Sequence, residues 1–368
     1  MLGAGMHTAR AFVLGGLALL ALASGGCGDG GTPAPGVPLR VLTWNLYLGT
    51  DFVVLASVPT PAAIPPVAAD LWAEVQASDF PARAKVVAAR IAALAPDVVA
   101  LQEVSLYRKQ TPSDFAASVT PNATDVALDF LELVMKELAA LGATYRVAVE
   151  APNADVELPT NDGAGGVFDL RFTDRDAILV AERVDVDVGV QYPFADKVNF
   201  LVGGAGGAPL AITRSLSLVP VTIGEAGGLG PRGLTIVNSH LEVGALSAVQ
   251  TAQANELMAR MNATLGSIVL LGDFNSAPGA STYQLLTKTF ADLGAKLPPP
   301  ATDPTCCQSG DLTNATSTAD ERIDLILTRG NFTMKSLSPV GTDPVADRTP
   351  SGRWASDHFG VVADLELR

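Results

Sequence analysis

Six short stretches set a carboxylate, an amide or an imidazole at the end of an apolar run or inside one. Glu103 follows VVALQ (98–102), and Asp273 follows IVLLG (268–272), with Asn275 two residues on. Asn45 closes LRVLTW (39–44), and His240 closes TIVNS (235–239). Asp324 interrupts RIDLIL (322–327), and Asp357 and His358 precede FGVVADL (359–365). Carboxylates and side-chain amides are oxygen donors suited to a hard cation, and imidazole–carboxylate sets move protons near neutral pH. Each residue also has an ordinary reading, since a carboxylate at a strand end is commonly a solvated loop residue or a helix cap. Asp324 resists it, because an acid inside an apolar strand needs a partner to offset its desolvation.

Residues at strand ends can converge on one crevice although far apart in the chain. The elements that would carry them alternate between short apolar strands and helical stretches. Strands are expected at 39–44, 97–101, 145–149, 177–181, 215–223, 234–239, 267–271, 323–327 and 359–365. Helices are expected at 81–94, with Pro81 in its first turn, at 125–141 and at 245–265. Residues 52–80 read as a loop with a short helix. Strand runs with helices interspersed suggest helices packed outside two mixed sheets.

The chain has 24 Lys and Arg against 38 Asp and Glu, a net charge of −14. With 48% hydrophobic and 17% charged residues, it is not an acidic disordered chain. The acidic balance argues against a protein held on nucleic acid by long-range charge alone, but not against a local site inverted by a cation.

His7 and Arg10 precede an apolar run over 11–23, followed by Ser24-Gly25-Gly26-Cys27. The pattern describes an export signal, too short for a spanning helix. The small residues before Cys27 resemble a bacterial lipoprotein box, although Ser24 stands where that motif usually has Leu. The expected division is a signal over 1–26, a Gly/Pro-rich tether over 27–38 and one domain over 39–368. Ordinary cleavage after Ala21-Leu22-Ala23, giving a secreted product, is the alternative. Three cysteines cannot build a disulfide framework. Cys306 and Cys307 are expected as a vicinal disulfide or two thiols, without a histidine at metal-ligand spacing nearby.

The six stretches, in this order, resemble the endonuclease/exonuclease/phosphatase superfamily: LTWNLYLG, VVALQEV, VNSHLE, LLGDFN, ERIDLIL and ASDHFGV. The resemblance implies an α/β fold, a four-layer sandwich of two face-to-face mixed sheets with helices outside, and metal-dependent phosphoester hydrolysis by an activated water. It implies Glu103 as the principal ligand of Mg²⁺, or of Mn²⁺ or Ca²⁺, with Asn45 and Asp357 in support. It implies Asp273 as the group that activates water and Asn275 as a donor to phosphoryl oxygens. His358 would face the phosphate with Asp324 behind it, and His240 would bind the phosphate or protonate the leaving group.

A further carboxylate that some relatives carry two residues after the first Asn is here Tyr47, and Asp51 is the nearest substitute or a turn residue. Arg175 is a candidate phosphate contact or an exposed loop residue. Arg83, Lys85 and Arg90 are spaced as a solvated helix face, so no basic run favours DNA. Leu71-Trp72 and 194–202 are candidates for entering a lipid surface or for core packing. The expected substrate is a small-molecule or lipid-derived phosphoester. An extracellular endonuclease acting on DNA or RNA is the alternative, and a non-catalytic surface-binding module a further one. A monomer is expected, with membrane association through a lipidated Cys27.

Overall fold

A computed structural model describes residues 36–117, 120–224, 230–297 and 304–368. The expected signal, Cys27 and most of the expected tether lie outside the described residues. The tether expectation is corrected at its end, because the first strand, Val37–Asn45, already pairs Val37 with Leu367.

Among the described residues, ten strands form one sheet and seven form the other. The side-chain period of two explains how the sheets stack. Along Val98–Gln102, Val98 and Ala100 join the core between the sheets, while Val99 and Leu101 face the helices outside. Along Ile268–Asp273, Val269 and Leu271 enter the inter-sheet core, while Ile268 and Leu270 pack beneath the helix Ser247–Ala263. Burial on both faces is why these strands read as unbroken apolar runs. The layers are therefore helices, sheet, sheet, helices, as the fold expectation has it.

Register decides where the strands end. Val37–Asn45 runs parallel to Val98–Gln102, with Asn45 opposite Gln102. In the other sheet Arg232–His240 runs parallel to Ile268–Asp273, with His240 opposite Asp273. Asp324–Arg329 lies antiparallel, so its first residue, Asp324, falls opposite Asp273. Gly360–Leu367 is antiparallel to the first strand, which brings the segment before it to the same end. Across the sheets, Gln102 Nε2 donates to Asn238 Oδ1 at 2.7 Å, and Asn238 Nδ2 donates to the Leu101 and Ala177 carbonyls. This buried tie holds the two strand-end groups at one level.

Several boundaries differ from expectation. Residues 52–80 contain a full helix, Ile64–Ala77, because Pro65 and Pro66 occupy its first turn, where no backbone donor is needed. The expected helix over 125–141 divides into a strand, Asp125–Asp129, and a helix, Phe130–Ala140. Asp129 makes the division by accepting from the backbone N–H groups of Leu131 and Glu132. The expected strands at 145–149 and 177–181 are the ends of a long hairpin, Tyr145–Asn161 and Val167–Ala181. Pro152 sits at one of its bulges, where a missing donor is tolerated.

Arg83 corrects another expectation. It sits on the helix Phe80–Leu94, yet it is fully buried rather than solvated. Its guanidinium donates to the carbonyls of Leu46, Tyr47, Ser78 and Ala355, joining the loop after Asn45 to the segment before Asp357. Burial pushes its pKa down to about 10 against the pull of Asp357. Arg90 pairs with Asp347.

Candidate active site

Strand ends from both sheets meet around Asp273 Oδ2. Asn45 Nδ2 donates to that oxygen at 3.1 Å, His240 Nε2 lies 3.5 Å away and His358 Nε2 lies 3.9 Å away. Asn45 Nδ2 also donates to Glu103 Oε1 at 3.1 Å, and the Leu48 N–H donates to Glu103 Oε2 at 2.8 Å. Asn45 Oδ1 accepts from the Tyr47 N–H, so the amide is fixed and its nitrogen must face the two carboxylates. The Asn275 N–H donates to Asp273 Oδ1 at 2.9 Å, and Asn275 Nδ2 donates to the Leu241 carbonyl beside His240.

The backbone makes unusual turns here. Glu103, Asn275 and Tyr47 have φ of 57°, 48° and 59°, the left-handed region that costs a non-glycine residue about 1–3 kcal/mol. Gly272 has φ 146°, and a Cβ there would lie 1.9 Å from the Ser239 carbonyl oxygen. Only glycine therefore lets the Asp273 strand end lie this close to the His240 strand end.

His358 Nδ1 lies 2.8 Å from Asp324 Oδ2, and Asp324 is buried. The Ser356 hydroxyl donates to the Asn45 carbonyl and accepts from the His358 N–H, and Trp44 Nε1 donates to the His358 carbonyl. Burial alone would push His358 down, but Asp324, Asp357 and Asp273 prevail and hold it well above an ordinary histidine. His240 has the opposite setting. Burial, Arg214 and His358 push it well below the ordinary value. Arg214 Nη1 lies 2.9 Å from His240 Nδ1, and arginine has only donors, so Nδ1 accepts and Nε2 carries the hydrogen. Burial and neighbouring Asp324 push Asp273 up to about 7.

The donor set fits a hard divalent cation. Glu103 is half-buried, and burial followed by repulsion from Asp357 raises its pKa. Asp357 is raised by burial as well. A cation beside these carboxylates would relieve both effects. A second grouping lies beside them: Asp273, Asp324 and His358 have donor atoms within 4.8 Å of one another.

All eight residues from the six stretches thus lie at this end of the sandwich. Arg175 does not face it as a phosphate contact; buried, it pairs with Asp129 and Glu150 and donates to the Val104 carbonyl. Asp51 caps the turn Phe52–Ser57 by accepting from the Val53 N–H, which is the turn reading. Leu71 and Trp72 are buried in the core; within 194–202 Phe194 and Val202 are buried while Leu201 stands exposed.

Sequence reasoning missed Arg214, Asp174 and Asp176. Arg214 Nη1 reaches Asp174 Oδ2 at 3.3 Å, and Asp176 Oδ1 lies 4.0 Å from His240 Nδ1. The alternating carboxylates of FTDRD, at the start of an apolar run, were the available signal. It also missed that Cys306 and Cys307, joined as a vicinal disulfide, lie against His358, 51 residues beyond Cys307 in sequence.

The model of the Endonuclease/Exonuclease/phosphatase family matches residues 42–358, a span that contains every one of these groups. The chain belongs to this family. Among solved structures, a family member from Beutenbergia cavernae superposes with a TM-score of 0.52 at 22% identity, over 90% of this chain and 72% of the other. A family protein from Bacteroides thetaiotaomicron gives 0.54 at 15% identity, over 90% of this chain and 99% of that one. At such identities the likeness is one of fold. No curated protein sequence matches the chain. Members of the endonuclease/exonuclease/phosphatase family are hydrolases of phosphoesters, which is the chemistry to weigh against this geometry.

Proposed function

We propose that the chain is a divalent-metal-dependent phosphoester hydrolase in which Asp273 activates the attacking water. The observation that carries this reading is the crowding of Asn45, His240 and His358 around one Asp273 oxygen, within 3.1–3.9 Å. Glu103, with Asp357 in support, would hold Mg²⁺, or Mn²⁺ or Ca²⁺; Asn45, expected as a ligand, instead turns its amide nitrogen to Glu103 and steadies it. When bound, the ion supplies positive charge to phosphoryl oxygens that would otherwise repel a nucleophile.

The residues of the chain do the rest. Asp273, with a pKa raised to about 7, takes the proton of the water as its oxygen attacks phosphorus. His358, held charged by Asp324, faces the phosphoryl group through Nε2 and gives a proton to the leaving oxygen. His240 stays neutral and donates through Nε2, and Asn275 adds a preorganised dipole to the same oxygens. Asn45 orients both Glu103 and Asp273.

The substrate is a small-molecule or lipid-derived phosphoester. Two observations support this over a polynucleotide: Arg83 and Arg175 are committed to internal partners, and Val53 and Val54 stand exposed on the turn after Asp51. The test is turnover of bis(p-nitrophenyl) phosphate, sphingomyelin, inositol phosphates and plasmid DNA, with Mg²⁺ and with EDTA. Cleavage of DNA alone would replace this substrate class with the nuclease reading. Absence of metal-dependent turnover on all four would favour a binding module. Export with lipidation at Cys27 is part of the same reading; Cys27→Ser should move the protein from the membrane to the soluble fraction, and an unchanged distribution counts against it.

A further inference from the structure

The segment carrying Cys306 and Cys307 lies alongside the segment carrying His358. The Gln308 N–H donates to the Asp357 carbonyl at 2.8 Å, and the Phe359 N–H donates to the Thr305 carbonyl at 2.7 Å. These bonds set Cys306 opposite His358 in an antiparallel bridge. On its other side Cys306 exchanges backbone bonds with Glu321, so the segment is held from both edges. Cys307 is exposed, Cys306 is buried, and Cys307 Sγ lies 4.0 Å from His358 Nε2. Because His358 Nδ1 is engaged by Asp324, Nε2 is the one ring nitrogen left to a new partner. The donor atoms of Cys306, Cys307 and His358 lie within 4.8 Å of one another.

Two sulfurs and an imidazole nitrogen are the donor set of a soft or borderline metal, unlike the oxygen donors around Glu103. We propose that Cys306, Cys307 and His358 form a site for a thiophilic ion such as Zn²⁺, assembled when the cysteine pair is in its dithiol state. A dithiol reductant supplies two electrons and two protons to open the disulfide and is itself oxidised to a disulfide. The ion then binds both sulfurs as thiolates and Nε2 as a neutral donor, releasing the two thiol protons and the Nε2 proton of His358 to solvent. Occupancy removes His358 Nε2 from the phosphate, so the same ion inhibits hydrolysis. The inhibition rests on the hydrolase reading; the binding does not.

The experiment titrates the full chain, reduced and anaerobic, with Zn²⁺ in excess Mg²⁺, which keeps the oxygen-lined centre filled. Phenylarsine oxide, which needs two sulfurs only, is titrated in parallel. The expected result is one Zn²⁺ more than the Cys306→Ser/Cys307→Ser double variant takes up, with two thiols shielded from maleimide. Loss of outer-shell partners alone weakens metal sites by ~10–100-fold, so Cys307→Ser and His358→Ala should each weaken Zn²⁺ by at least about tenfold. The arsenical should still be captured by His358→Ala and lost by Cys307→Ser, an exposed position where folding is safe. Equal Zn²⁺ uptake by wild type and Cys307→Ser, or thiols still reactive at saturation, would overturn the site. Unchanged Zn²⁺ affinity in His358→Ala would remove the imidazole from it. An intact Zn²⁺ stoichiometry in a protein inactive on every phosphoester would instead remove the hydrolase reading alone.

Discussion

His358 Nδ1 and Asp324 Oδ2 lie 2.8 Å apart in a buried pair, although 34 residues separate them in the chain. The carboxylate takes one ring nitrogen and leaves the other facing Asp273. Asp324→Asn keeps the shape but removes the charge that keeps His358 protonated. General acid–base contributions run to ~10²–10⁴-fold, so kcat should fall within that range while the fold persists. Steady-state kinetics beside circular dichroism checks this, and a variant within about twofold of wild type excludes the pair from catalysis.

The two shifted groups give the pH profile a definite sign. Asp273 must be ionised to accept a proton, and its pKa is raised to about 7, so kcat/KM should climb as pH rises through that value. His358 must be protonated and is raised well above 6.5, so the falling limb should lie on the alkaline side. Saturating Mg²⁺ favours ionised carboxylates and should move the rising limb to lower pH. Asp324→Asn should move the falling limb down as well. A profile that declines from acid to neutral pH contradicts both assignments.

Glu103, Asp273 and His358 were legible because each terminates or precedes an apolar run, and parallel register then forces strand ends together. Arg83, Arg214 and the Gln102–Asn238 tie were not, because a buried polar group is defined by partners that only the tertiary fold supplies. On an amphipathic helix Arg83 looks like any solvated arginine. Two mixed sheets with helices outside were suggested by the order of strands and helices, and their face-to-face stacking by the family resemblance, whereas the long hairpin was hidden by its prolines and bulges. The start of the Phe130–Ala140 helix was hidden because a single cap, Asp129, decides it.

Arg83 should matter as much for stability as the core it sits in. Arg83→Met removes the donors to four carbonyls, three of them in the Asn45 and Ser356 segments and the fourth that of Ser78. Each buried carbonyl left unsatisfied costs ~1–3 kcal/mol, partly offset because no charge need be buried any longer. A net loss on the order of 3 kcal/mol is expected in denaturant titration. Mg²⁺ affinity should weaken too, since one segment carries Asp357 and the other steadies Glu103. A loss below about 0.5 kcal/mol, the scale of a surface change, would mean the arginine is solvated after all.

Asp273 should be a stability liability in the metal-free protein. Its folded pKa of about 7 exceeds its ordinary 3.8, so its contribution is intact at acid pH and is lost as pH rises through the folded value. At 1.36 kcal/mol per unit this is roughly a few kcal/mol by slightly alkaline pH. Asp273→Asn avoids that cost but loses one accepted bond from Asn45 or Asn275, about 1 kcal/mol. In EDTA the variant should therefore melt above wild type at about pH 8, with the gap closing towards about pH 5. Added Mg²⁺ should raise the wild-type melting temperature more than the variant's, by binding the folded state. The variant should also be inactive, separating the catalytic need for the charge from the stability it costs. Thermal unfolding at both pH values decides the matter: a gap independent of pH would mean that Asp273 is ionised in the fold without penalty.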